Sequence, residues 1–377
     1  MKSLILFIFF SLTILSSNNG NDKVWKGINA FYNYEFNKSV KILYEAKNEF
    51  PFHPSVHFTW AVSKWLHSRA YDGIDKSYEV LSESLEIIVP KYEVLIEKFP
   101  NDKEIHLYYA STLGLKARVH LGKKEWINVV VEGIKGYSSI KSLNSKYPEY
   151  SDALFPIGIL NYFAGKMSGF TQFFAKIAGI EPDVSLGIRQ MTKSVNDGDF
   201  AKIESSQTLA YIYLWMDQDF EKSKNLSQNL RDEFPNSIYN QFMYTESLIF
   251  LGRLDEAKIN LELSREILID LPEFTNIYWH PLLNYQKALI YFINRDLDKS
   301  LELVNDCILN YSAELDTQLG YALLLRGNIF DLKNRIYTIN QLKKIANFFE
   351  IQKVISRVSK LANNGNLKTD IFSHKDY

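Results

Sequence analysis

The residues with the clearest chemical potential are two histidines in the segment FHPSVHF. His53 and His57 stand four residues apart, a spacing at which two imidazoles on a helix can bind a metal ion. Pro54 lies between them and predicts a helix start, which leaves His53 outside the regular helix. No acid or third histidine joins them nearby in sequence, and His67, ten residues after His57, faces a different direction. We therefore expect ordinary turn and surface histidines, with no metal site and no cofactor.

Two acidic segments have a structural explanation as helix ends. The segment NDGDFAKIE, residues 196–204, lacks the ligand spacing and the later glutamate of a calcium loop. We interpret Gly198 as the end of one helix and Asp199 as the N-cap of the next. Glu181 and Asp183 flank a proline, where the helix dipole favours carboxylates without any acid–base role.

Recognisable catalytic motifs are absent from the sequence. It contains no nucleophilic serine elbow, glycine-rich phosphate loop, zinc signature or paired-cysteine motif. The one cysteine, Cys307, cannot form an internal disulfide, and we expect it to be buried and structural. A non-enzymatic protein is the expectation. An α/α-toroid hydrolase or lyase remains the alternative, because the acids of such enzymes are scattered in sequence.

Composition and charge limit the class of partner. The chain has 377 residues, with 43 Lys and Arg against 44 Asp and Glu and a net charge of −1. No basic excess exists to neutralise phosphates, which disfavours nucleic-acid binding. Only 17 glycines and 10 prolines occur, a scarcity that favours long helices over many-turned β structure.

The N-terminus is typical of a secretory signal. Lys2 precedes the apolar run LILFIFFSLTIL, residues 4–15, and small polar residues follow it. This run is shorter than the roughly 20 residues of a membrane-spanning helix. We predict a signal peptide over residues 1–20 and export to the periplasm or cell envelope of a bacterium, with an uncleaved anchor as the alternative. No cysteine follows the run, so a lipid anchor has no attachment point.

Helical periodicity extends along most of the chain. It predicts helices near 23–35, 38–49, 55–70, 74–98, 102–120, 124–146, 152–165, 170–178, 184–196, 201–216, 220–233, 237–251, 255–270, 276–293, 297–310, 314–332 and 337–361. Pro100 and Pro148 are expected to close two of them. One continuous helical domain over residues 21–361, followed by a solvated tail at 362–377, is the predicted organisation.

An internal repeat appears in four of these segments. Spacings of 3, 4 and 3 place four residues of each segment on one helical face, with small residues at two of the positions in most copies. The sets are Phe36, Ser39, Leu43, Ala46; Phe220, Ser223, Ser227, Leu230; Leu254, Ala257, Leu261, Ser264; and Leu297, Ser300, Val304, Cys307. Phe220 and Leu254 are 34 residues apart.

This pattern resembles the tetratricopeptide repeat (TPR), a helix–turn–helix unit of 34 residues. The segment WKGINAFYNYEFNKSVKILYEAKNEFP matches best, with Gly27, Phe36, Ser39, Ala46 and Pro51 at the consensus offsets. The block GIRQMTKSVNDGDFAKIESSQTLAYIYL is similar to exported bacterial TPR proteins and distantly to a eukaryotic TPR family. The resemblance implies an all-α, right-handed solenoid of TPR-like hairpins.

An apolar insert at residues 166–180 interrupts one hairpin. Phe170, Phe173, Phe174 and Ile177 share one helical face there. The flanking run is cut by Gly165, Lys166, Ser168 and Gly169 into pieces too short to span a bilayer. The insert could be core, a lid over a groove, or a surface that docks on a partner or membrane.

The resemblance also implies a concave groove lined by the first helix of each hairpin. By matching offsets, this groove would present eight aromatic residues: Phe31, Tyr32, Trp215, Tyr239, Phe242, Phe250, Tyr285 and Phe292. A bare apolar groove is costly in water and marks an interaction site; the alternative is that these rings pack between hairpins. We expect an exported scaffold or adaptor that binds a protein or peptide partner. Peripheral membrane association through the insert is a second hypothesis.

Overall fold

The computed structural model describes residues 20–332 except 168, 170, 171, 173, 174, 177, 178 and 315. Its first helices are α1 (20–32), α2 (Phe36–Glu49), α3 (Val56–Tyr71), α4 (Ile74–Lys98), α5 (Lys103–Gly122), α6 (Trp126–Lys146), α7 (Leu154–Lys166) and α8 (Val184–Asp197). The later ones are α9 (Ala201–Tyr211), α10 (Phe220–Glu233), α11 (Ile238–Phe250), α12 (Leu254–Ile269), α13 (Glu273–Ile293), α14 (Leu297–Leu309) and α15 (Thr317–Leu332). The described part contains no strand, which confirms the all-α prediction.

The chain forms two compact units, one ending at Leu209 and the next beginning at Ala210. Within each unit, helices that follow one another in sequence pack against one another, as in a series of hairpins. No helix of the described residues is both long enough and apolar enough to cross a membrane. The predicted signal peptide, the predicted helix at 337–361 and the tail at 362–377 lie outside the described residues.

The repeat positions lie where each hairpin closes. Three of the small serines donate from Oγ to a backbone carbonyl of the preceding helix: Ser39 to Gly27 at 2.8 Å, Ser300 to Ala288 at 2.8 Å, and Ser223 to Ala210 at 2.9 Å. All three serines are completely buried. A larger side chain would hold the two helices apart, so the small residue sets both the spacing and the register of the hairpin.

One hairpin contains an extra residue in this register. Donor and acceptor are 12 residues apart for Ser39 and Ser300, but 13 apart for Ser223. A π-helical turn over Ile212–Met216 lies between Ala210 and Ser223 and accounts for the insertion, because π turns add one residue to a helix. The predicted continuous helix at 201–216 therefore changes its winding after Tyr211.

Two helix starts have carboxylate partners of different origin. Asp183 caps α8 by accepting from the Leu186 amide at 2.8 Å, as its position predicts. Asp199 was predicted as the N-cap of α9, but the carboxylate at this site comes from Asp152, in the 3₁₀ turn Ser151–Ala153. Asp152 does not cap α7, which shows no side-chain cap. It is buried and instead accepts from the Asp199 amide at 2.8 Å, just ahead of α9. A carboxylate distant in sequence thus satisfies an amide that precedes a helix.

Close contact between α7 and α8 depends on two glycines. A Cβ on Gly187 would lie 2.6 Å from the Gly158 carbonyl oxygen and 2.6 Å from the Tyr162 amide nitrogen. A Cβ on Gly158 would in turn lie 2.9 Å from the Gly187 carbonyl oxygen. These neighbours are backbone atoms that cannot rotate away, so the two helices approach as closely as they do only with glycine at both positions.

Gly187→Ala is therefore expected to destabilise the first unit by about 2 kcal/mol or more, because overpacking against backbone forces the helices apart. Urea unfolding would measure this loss. Gly133→Ala is the matched control: the glycine lies in α6 with nothing within 4 Å of its added Cβ. That change should stabilise by up to about 1 kcal/mol through helix propensity. Equal effects at the two positions would contradict the close crossing.

Candidate functional site

The eight aromatic residues predicted to line a groove do not form an open surface. Five of them are at most 9% exposed: Tyr32, Trp215, Phe242, Tyr285 and Phe292. The remaining three, Phe31, Tyr239 and Phe250, are half-buried. The prediction of a bare groove is corrected for the five, because their rings fill the space between neighbouring helices. Tyr32, for example, donates its hydroxyl to Glu204.

The buried rings of the second unit contact one another in a chain. The centroids of Trp215 and Phe242 are 6.1 Å apart, and those of Phe242 and Trp279 are 5.5 Å apart. Tyr239 lies at the edge of this group of rings, and its ring centroid is 6.2 Å from that of Trp279. Trp215 reaches this chain from the π-helical turn. Because π turns often occur at functional sites, the residues around Trp215 are candidates for a functional site.

A buried carboxyl group, Glu246, lies beside this aromatic chain and was missed in the sequence. Its Oε1 accepts from Trp215 Nε1 at 2.9 Å, and its Oε2 accepts from Gln286 Nε2 at 3.2 Å. Burial raises the pKa of Glu246 to about 7, against the lowering effect of the two donors. The signal that could have found it is a single acid within the otherwise uncharged helix IYNQFMYTESLIF.

The carboxyl group lies in the core, where Glu246 is 1% exposed. A cavity of about 20 Å³ is lined by Trp215, Phe250 and Tyr285, among others. A water molecule needs about that volume. The aromatic chain and Glu246 are therefore the apolar part and the polar part of one core.

The apolar insert is only partly described. Phe170, Phe173, Phe174 and Ile177 lie outside the described residues. Near its end, the Gly179 carbonyl oxygen accepts from the Tyr137 hydroxyl at 2.7 Å and from Lys141 Nζ at 2.6 Å. Both donors are on α6, so the end of the insert is attached to that helix.

The two histidines with metal-ligand spacing are buried, where surface positions were expected. His53 Nδ1 faces the Ser55 amide at 3.3 Å and its Nε2 faces Asn21 Oδ1 at 2.6 Å, while His57 Nε2 donates to the Pro51 carbonyl at 3.0 Å. Burial lowers the pKa of His53 to about 4. Each ring thus has its own hydrogen-bond partner and stabilises the turn between α2 and α3.

An open groove lies elsewhere in the first unit, between α2, α3 and α4. One cavity of about 400 Å³ is lined by Asn37, Val40, Lys41, Tyr44, Trp60, Lys64 and His67. A second cavity of about 310 Å³ is lined by Lys47, Asn48, Pro51, Phe52, His57, Ile87, Lys91, Val94 and Leu95. Lys47 connects the two, because its Nζ lies 3.8 Å from the ring centroid of Trp60 in the first cavity. We call this surface the lysine groove.

Among the described residues, four lysines and no carboxylate line the groove: Lys41, Lys47, Lys64 and Lys91. The pKa of Lys47 is lowered, first by its burial and then by the like charges of Lys64 and Lys91. Apolar side chains alternate with these charges, and Tyr44, Phe52, Ile87 and Val94 are each about half exposed. Positive charge beside exposed apolar surface is a combination that binds partners.

Sequence reasoning missed the lysine groove because its members come from three helices. The α2 segment KILYEAKN places Lys41, Tyr44 and Lys47 at spacings of three, which indicates one exposed stripe. Its continuation through Lys64 and Lys91 depends on how α3 and α4 pack.

The same hairpin packing recurs along the described residues. Small buried residues close successive antiparallel hairpins at the repeat offsets, through a serine-to-carbonyl bond in three of them. This is the hairpin packing that the TPR resemblance implies. No protein-family model matches the chain, and no curated protein matches it.

A search of solved structures finds a tetratricopeptide repeat protein from Parabacteroides merdae ATCC 43184. The two are 11% identical, and the match covers 92% of this chain and 100% of that one, with a TM-score of 0.31. The description of the fold rests on the contacts between successive helices within each unit.

Proposed function

We propose that this TPR-like protein is an exported, non-enzymatic scaffold or adaptor of the bacterial cell envelope that binds a protein or peptide partner. The observation that carries the proposal is the lysine groove, which combines two cavities of about 400 and 310 Å³ with half-exposed apolar side chains. The apolar run at residues 4–15 supports export. Partner binding through the groove replaces the buried aromatic face as the proposed mode of action.

The surroundings of Glu246 support a role without catalysis. Its pKa of about 7 would suit a general acid or base. However, Glu246 is only 1% exposed, which leaves its carboxyl group out of reach of a substrate in solution. Both carboxyl oxygens also accept hydrogen bonds from core side chains.

Photo-crosslinking in cells tests the proposal. A photoreactive amino acid would replace Phe52 or Val94 in the groove, each more than half exposed at 53% and 57%. Ile259, which is 74% exposed on α12 in the other unit, is the control position. We expect a discrete protein adduct from the two groove positions and none from the control. An absence of adducts, or identical adducts from all three positions, would contradict partner binding through the groove.

A further inference from the structure

We infer that the lysine groove binds an acidic, apolar-containing segment of its partner. This inference rests on the proposed scaffold function and specifies the chemistry of the same site. Within the described part of the chain, none of the four lysines makes an ion pair or a hydrogen bond with a carboxylate.

Lysines elsewhere in the protein commonly have an acidic neighbour. Lys222 pairs with Asp219 at 2.7 Å, and Lys258 pairs with Asp255 at 3.0 Å. On α2 itself the acids face the other way: Glu45 and Glu49 contact Lys23 of α1 at 3.2 and 2.6 Å. Within the described residues, the lysine face of α2 therefore has no acidic partner from its own helix.

Like charges within the groove repel one another. Lys64 and Lys91 both lower the pKa of Lys47, so the three ammonium groups lie close enough to interact. The ring of Trp60 offsets part of this cost, since Lys47 Nζ lies 3.8 Å and Lys64 Nζ 5.1 Å from its centroid. Carboxylates from a partner would relieve the repulsion further, and their approach would be steered by the positive field.

The exposed apolar side chains of the groove favour a peptide ligand over a small anion. Tyr44, Phe52, Ile87 and Val94 remain about half exposed beside the lysines. A phosphate ion would neutralise charge but leave these side chains in water. A peptide that alternates acidic and apolar residues satisfies both kinds of surface at once. The lysines also line two cavities, a distribution that matches an extended chain better than a point charge.

The test is fluorescence anisotropy with the full mature chain and two labelled peptides. In the first peptide, glutamates alternate with leucine and phenylalanine; in the second, glutamines replace the glutamates. We expect the acidic peptide to bind at least about tenfold more tightly, with the preference shrinking at high salt. Lys64→Glu with Lys91→Glu should weaken it by about tenfold or more, and Lys64→Gln with Lys91→Gln should have a smaller effect.

Lys222→Glu with Lys258→Glu is the matched control, because both lysines are exposed in the second unit and should not affect binding. Thermal melting of every variant would confirm that it folds. Equal binding of the two peptides, no binding of either, or full competition by inorganic phosphate or phosphatidylglycerol vesicles would overturn the inference. If crosslinking from Phe52 captures a partner while the peptides show no charge preference, the scaffold function stands and this inference fails.

Discussion

Replacement of Phe242 by alanine is expected to lower the melting temperature of the second unit by roughly 10 °C, a loss of about 3–5 kcal/mol. Phe242 is 1% exposed, and its ring lies between Trp215 and Trp279. Truncation would leave a cavity among large rings held by their own hydrogen bonds and contacts, so the site cannot collapse to fill it. Tryptophan fluorescence during thermal and urea unfolding would report the loss, since two of the neighbouring rings are indoles.

Ile259→Ala provides the comparison for this experiment. Ile259 is 74% exposed on α12, so its truncation should change stability by less than about 0.5 kcal/mol. A small effect at Phe242 would mean that its ring faces an open surface, as the sequence-based groove requires. The measurement therefore separates a core aromatic from a ligand-binding one at a position where the two interpretations differ most.

Glu246→Gln is expected to gain about 2 kcal/mol of stability relative to the unaltered protein between pH 5 and pH 8, because it removes a slope from the stability–pH curve. Burial raises the pKa of Glu246 from 4.5 to about 7 in the folded protein. The folded state therefore holds this proton more tightly than the unfolded state does. Stability falls as the pH rises from about 4.5 to about 7, because the unfolded chain loses this proton over that range while the folded protein still holds it.

Urea unfolding at several pH values between 5 and 8 would measure this effect as the difference between variant and unaltered protein. Other titrating groups, His53 among them, contribute equally to both proteins and cancel in that difference. Glu262→Gln is the control: this glutamate is exposed and lies 3.5 Å from Lys287, so its removal should leave the slope unchanged. A pH-independent difference for Glu246→Gln would show that the carboxyl group is not buried as described.

Local features of the sequence determined the secondary structure and the repeat. The helix predicted at 74–98 matches Ile74–Lys98, and Pro100 and Pro148 follow the ends of α4 and α6. The small residues at repeat offsets are buried as the TPR resemblance implies. These features can be predicted from the sequence because helix periodicity, capping and small-residue spacing depend on residues that are close to one another along the chain.

The tertiary structure decided which side chains are exposed, and therefore where a partner can bind. Phe242 and Tyr239 are both aromatic residues on α11 at groove offsets, yet one is buried and the other is at the edge. The lysine groove and the Glu246 hydrogen bonds each join residues from different helices, Glu246 and Gln286 being 40 residues apart. Their proximity follows from interhelical packing, which depends on the summed contacts of many side chains and not on any local pattern.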